Sequence, residues 1–241
     1  MRNKHRYKGF SLTEVLLAVG TLAIGMIFIG GTFLTGIHFA TVATERTIAA
    51  VVANEAFAKI RLYGVDFEDP NFVSDQMMRY EELSTIAAEE FAYPSTQVSA
   101  EKQYYWSALC RRIDSVSTNR LVQVTVFVSR KVGIRTTYHG SVERPVPVEV
   151  SVATVAGVDN DNKLTISTAD EETFINGGGT IVDGRTGRLY RVLKRDDDSP
   201  DIIVLDRELQ GWQSDSVWVV PPPIGGGRYP CIAIYQKVIR F

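Results

Sequence analysis

The chain has 241 residues, 45% of them apolar and 22% charged, with a formal net charge of −2. That apolar content excludes a disordered chain, and the near-neutral balance removes the electrostatic footprint of a nucleic-acid-binding protein. The length admits one large domain or two small ones.

Charge is uneven at the front. Arg2, Lys4, Arg6 and Lys8 place four cations and no acid in the first eight positions. A basic head before an apolar run is a topology signal, because positive segments stay on the cytoplasmic side. From Val15 to Ala43 there is no Asp, Glu, Lys or Arg, and His38 is the only ionisable side chain. A hydrocarbon core is crossed by roughly 20 apolar residues in a helix. The expected topology is therefore one pass through a membrane, with the body outside the cytoplasm. A removable secretory signal is the competing reading, but its apolar core is only about 7–15 residues and ends in a small-x-small site.

Helical character continues through "TVATERTIAAVVANEAFAKIRLYG". Ile48, Val51, Val52 and Ala56 form one stripe, and Glu55 precedes Lys59 by four, a favourable pairing. The spacing predicts one helix over 10–63, about 80 Å long at 1.5 Å per residue. Its first part, to residue 35–43, lies in lipid and its second half packs on a domain. Gly20, Gly25, Gly30, Gly31 and Gly36 punctuate the lipid half, where small residues let neighbouring helices approach closely.

In "SDQMMRYEELSTIAAEEFAYP", Met77, Tyr80, Leu83, Ile86 and Ala87 fall in helical phase. A second, short helix is predicted over 75–91, stopped by Pro94. The pattern then changes to period two. "QYYWSALCRRI" and "RLVQVTVFVSRKV" alternate apolar and polar residues around the turn "DSVSTN", predicting a hairpin over 103–131. Seven further short strands are expected in "VPVEVSVATVAG", "NKLTISTA", "TIVDG", "GRLYRVLKR", "DIIVLDREL", "SVWVVPPP" and "CIAIYQKVIRF". Gly- and Asp-rich turns separate them.

One short stretch carries a family resemblance. In "KGFSLTEVLLAV", a basic leader ends in Gly9, Phe10 follows, and Glu14 stands four residues later inside the apolar helix. This resembles the class III signal of type IV pilins and type II secretion pseudopilins. The resemblance covers about 20 residues, on the scale of one membrane-crossing helix. It implies cleavage between Gly9 and Phe10 by prepilin peptidase, and N-methylation of Phe10. It also implies that Glu14 pairs with the Phe10 amine of a neighbouring subunit during filament assembly. An unpaired carboxylate in lipid costs at least a few kcal/mol, which pairing offsets. The plainer reading of Glu14 is a side chain that snorkels to the head groups. Many type IV pilins carry a proline where this chain has Gly31, a departure from the family pattern.

The implied fold is α+β: a long N-terminal helix packed on an antiparallel sheet, with an added C-terminal β subdomain. The implied division is a cleaved leader 1–9, the helix 10–63, a pilin-like core 64–150, an inserted β-rich subdomain 151–230 and a terminal strand 231–241 expected to rejoin the core sheet. Additions of this size are more typical of minor pilins and minor pseudopilins than of major subunits. The implied partners are prepilin peptidase, other pilin or pseudopilin subunits and, before assembly, inner-membrane lipid. No nucleic-acid partner is expected.

Elsewhere the chemistry is sparse. Asp159, Asp161 and Asp170 loosely mimic a calcium loop, but Lys163 and Leu164 occupy positions where a ligand and a glycine are needed. The two triple-glycine runs precede no helix with Lys-Ser/Thr, so they are not phosphate loops. His5, His38 and His139 lie in the leader, the anchor and a turn, so no zinc site is expected. No nucleophile elbow is present, and no cofactor, metal or enzymatic activity is expected. Cys110 and Cys231 are the only cysteines, each in a predicted strand. An even count in an exported body fits a disulfide, closing a loop of about 120 residues. Two buried thiols acting as small apolar side chains are the alternative.

Overall fold

The structure is a computed structural model, and it describes residues 11–94, 102–113, 120–133, 136–141, 143–155, 161–209 and 211–241. The predicted first helix is present as α1, Leu12–Tyr63, 52 residues long. The chain divides into two compact units within it, one ending at Thr47 and the other running from Ile48 to Phe241.

In the first unit, the side chains of the apolar run are exposed. In the second unit, Ala49, Val52, Ala53, Ala56, Phe57 and Ile60 are buried along one face of α1. Their alternating three- and one-residue spacing is that of a helix facing a core. Three of the six are alanines, which let the helix backbone come close to its support. α1 stops at Gly64, whose φ of +75° supplies the left-handed C-terminal conformation that side chains resist. The Gly64 N–H returns to the Ile60 carbonyl at 3.0 Å.

The support is an antiparallel sheet. β3 (Tyr104–Arg112) pairs with β4 (Leu121–Arg130), which pairs in turn with β11 (Cys231–Arg240). The short strands β1 (Met78–Arg79) and β2 (Ala92–Tyr93) line the outer side of β3. Trp106, Ala108 and Cys110 from β3, with Val122, Val124, Val126 and Val128 from β4, share the core with α1. Alternate residues of the same strands point away from α1, as period two requires.

No helix spans 75–91. The segment forms β1, a run of turns and a 3₁₀ turn at Ala88–Phe91. Its apolar residues are separated by three, as in a helix, but they serve two different cores. Met77 packs in the cluster on the far side of the sheet, whereas Tyr80 and Leu83 join the α1 side. A chain wrapping the edge of a sheet must alternate in this way. Backbone bonds from Met77 N–H to Gly184 O (2.8 Å) and from Tyr80 N–H to Ala108 O (2.9 Å) hold it there. The Tyr80 hydroxyl donates to Gly64 O at 3.0 Å, and burial pushes it up to about 12, so it stays a donor.

Between β4 and β11 the chain builds a closed six-stranded antiparallel barrel. Its strands are β5 (Val148–Thr154), β6 (Lys163–Ile166), β7 (Thr180–Asp183), β8 (Leu189–Arg195), β9 (Ile202–Leu205) and β10 (Ser216–Val219). The order around the barrel is β10-β5-β6-β9-β8-β7. Val150, Leu164, Ile181, Val192, Ile203 and Val217 are fully buried in its interior. A bulge opposite β9, between Val192 and Lys194, bends β8, as closure of so small a barrel requires.

The barrel packs against the face of the sheet opposite α1. Leu109 and Phe127 from the sheet meet Val182, Trp218 and Val220 from the barrel side. A polar clamp sits beside this contact. The Gly187 carbonyl in the β7–β8 turn accepts from Gln236 Nε2 at 2.6 Å and from Gln123 Nε2 at 3.5 Å. Gly187 has a φ of +69°, which presents that carbonyl to the sheet.

Candidate membrane anchor and assembly segment

Gly9 and Phe10, the predicted processing residues, lie outside the described residues. Glu14 lies in the first turn of α1, exposed, with a carboxylate oxygen 3.2 Å from the Ser11 backbone N–H. Ser11 precedes the first helical residue, so Ser11 and Glu14 stand at the N-cap and N3 positions and make the carboxylate half of a capping box, while the Ser11 hydroxyl pairs with that of Thr13 at 2.7 Å. The carboxylate thus accepts one of the helix's otherwise orphaned N–H groups and faces the positive end of its dipole. The sequence signal for this role was the spacing Ser-x-x-Glu in "SLTE". It is independent of the Gly-Phe pair that drew attention to Glu14.

The rest of the apolar run has the length and apolarity of a membrane span. The helix contains an 18-residue window of mean hydropathy 2.2, none of it buried in the protein. Such a helix is long and apolar enough to cross a membrane. Its threonines would be a liability there if their hydroxyls were free. Thr21, Thr32, Thr35, Thr41 and Thr44 each donate to a carbonyl three or four residues back, at 2.8–3.0 Å. A Cβ added at Gly20, Gly25, Gly30, Gly31 or Gly36 would meet nothing within 4 Å, so contacts among the described residues do not require these glycines for packing.

The remaining candidates do not converge. The disulfide expected between Cys110 and Cys231 is absent, and both are free thiols. Cys110 sits in the α1-side core opposite Val124, while Cys231 sits opposite Ser129 and packs with the barrel-side cluster. β4 lies between their strands and their side chains leave opposite faces. A bridge needs Cα atoms within about 7 Å, which two strand spacings already exceed. Burial pushes the Cys110 thiol well up and the Cys231 thiol to about 12.

Asp159 lies outside the described residues, and no group of three or more metal-ligating side chains occurs among the described residues. His139 stacks on Phe174 with ring centroids 4.3 Å apart, and His38 neighbours Phe39 within α1. The glycine run 177–179 precedes β7 and the run 225–227 lies in the loop before β11; neither leads into a helix.

Sequence reasoning missed two features of the body. One is Arg144, buried with its guanidinium 4.0 Å above the Phe91 ring and 2.6 Å from Glu81. The other is the outer edge of β11, where the sheet ends. No family model matches the chain, and neither the curated proteins nor the solved structures compared with it contain a significant match.

Proposed function

We propose that this chain is a filament subunit of the type IV pilin or type II secretion pseudopilin kind, of the minor class that carries an enlarged body. The observation that carries the reading is the succession in "KGFSLTEVLL": a basic leader, Gly9-Phe10, and a carboxylate at Glu14 on a helix fit to cross a membrane. Prepilin peptidase cuts after Gly9 on the cytoplasmic side and methylates the new amine of Phe10. The subunit rests in the inner membrane with its body in the periplasm until the helix is drawn into the filament core. Glu14 then receives the Phe10 amine of a neighbouring subunit. In the unassembled chain it serves its own Ser11 N–H, which keeps an ionised carboxylate partnered at the membrane edge.

A second reading is a single-pass anchored binding or adhesion module, and the closed barrel on the outer face of the sheet favours it. The mass of the mature N-terminus separates the two. N-methyl-Phe10 is expected for the filament subunit, whereas an intact Met1 or a cut near residue 30 overturns it. Glu14→Ala is expected to leave cleavage intact and to reduce incorporation into filaments.

A further inference from the structure

β11 is the terminal strand of the sheet, and among the described residues its only strand partner is β4. The direction of its backbone groups follows from two bonds at its ends. Arg130 N–H donates to Pro230 O at 2.9 Å and Phe241 N–H donates to Arg120 O at 3.0 Å. Both join directly opposed residues, so they mark hydrogen-bonded pairs, which alternate along an antiparallel ladder. Ala233, Tyr235, Lys237 and Ile239 therefore turn their N–H and C=O groups toward β4. Ile234, Gln236, Val238 and Arg240 turn theirs away, where no described residue pairs with them.

A cleft of about 430 Å³ opens beside the first of these. Its lining includes Ile232 and Ile234 of β11, the apolar Phe127 and Leu189, and Gly177–Gly179. The Tyr229 hydroxyl, also in the lining, donates to Phe174 O at 3.1 Å. Glycines offer main chain without side chains, which leaves room beside the start of the strand.

We infer that the outer edge of β11 is a β-addition site that takes an extended, acidic peptide segment from a protein partner. Unpaired strand groups at a regular spacing are complemented by another strand and by little else. Side chains opposite Ile234, Gln236, Val238 and Arg240 share the barrel-side face of the sheet. The one opposite Ile234 enters the apolar cleft, and the one opposite Val238 covers a side chain that is 57% exposed. The one opposite Arg240 meets an exposed guanidinium with no ion pair among the described residues. β11 carries Lys237 and Arg240 and no acid. A second copy of β11 laid along the edge would put four cations on one ladder, so charge favours an acidic partner. The matching segment reads acidic-x-apolar-x-polar-x-apolar in the antiparallel direction.

The test uses the full chain in detergent micelles and a short fluorescein-labelled peptide. In the peptide glutamate, valine, threonine and valine alternate with serine, in that order. Saturable anisotropy is expected, weaker when lysine replaces the glutamate. Val238→Pro removes an outward N–H but no bond to β4, so edge proline is tolerated. It is expected to weaken binding at least about fivefold while the unfolding midpoint stays near wild type. Arg240→Glu is expected to reverse the preference toward the lysine peptide, and it decides the matter if the proline variant fails to fold. Absence of saturable binding, or equal binding by Val238→Pro, overturns the inference. So does self-association sensitive to Val238→Pro without peptide binding, which would identify a second copy as the occupant. None of these readouts depends on processing at Phe10.

Discussion

Replacing Arg144 with alanine should destabilise the body by about 3 kcal/mol, far more than a typical surface arginine. Arg144 stands between β4 and β5, and its side chain is 9% exposed. Nη1 donates to the Trp106 carbonyl at 3.2 Å, Nη2 pairs with Glu81 at 2.6 Å, and the guanidinium caps the Phe91 ring at 4.0 Å. A charge-assisted bond to a buried carbonyl contributes about 1.5–3 kcal/mol and a partly desolvated cation–π contact about 1–2. The Glu81 side chain is 37% exposed, so solvent screening leaves that pair worth about 0.5 kcal/mol. Desolvation, which lowers the affinity of this guanidinium for its proton, offsets part of the total. Arg144→Lys should recover the charge but not the planar stack, regaining about half of the loss. The assay is chemical unfolding of the full chain in micelles, followed by tryptophan fluorescence. A loss below about 0.5 kcal/mol for Arg144→Ala would show that the pair and stack contribute no more than a surface contact.

Gly184→Ala should also destabilise, by about 1–3 kcal/mol, because a Cβ there would lie 2.9 Å from the Ser216 carbonyl oxygen and closer still to its hydroxyl. Ser216→Ala should not rescue it, since the backbone contact remains; an unchanged unfolding midpoint in Gly184→Ala would refute the steric account. Thiol titration of the denatured chain without reductant should count two free thiols. In the folded chain at pH 8, both should alkylate slowly, because Cys110 is buried and both thiols are held protonated. Rapid labelling of Cys110 would contradict its placement under α1.

Much of the local structure was legible because its cause is local. The exposed apolar half of α1 needs only uninterrupted apolarity, and the packed half needs only the spacing of Val52, Ala56 and Ile60. β3 and β4 announce themselves by alternation, since Val122, Val124, Val126 and Val128 all face one core. The segment 75–91 misled because a spacing of three fits a helix and also a chain crossing a sheet edge. Only the positions of the two cores distinguish these. Ser11 and Glu14 were legible as a capping box, but the Gly-Phe pair drew attention to another role for the same carboxylate.

By itself, the amino-acid order determined the apolar helix, the basic run before it, the strand-forming segments and the turns between them. Each depends on neighbours within a few residues, through helix period, pleat or turn chemistry. Tertiary structure alone decided that six of the strands close into a barrel and that the seventh, expected to rejoin the sheet, lies against β4. Short half-buried strands carry the same alternation in a barrel, a sandwich or an open sheet, so the pairing is set by long-range packing. The same packing placed Cys110 and Cys231 on opposite faces and, among the described residues, left the outer edge of β11 without a strand.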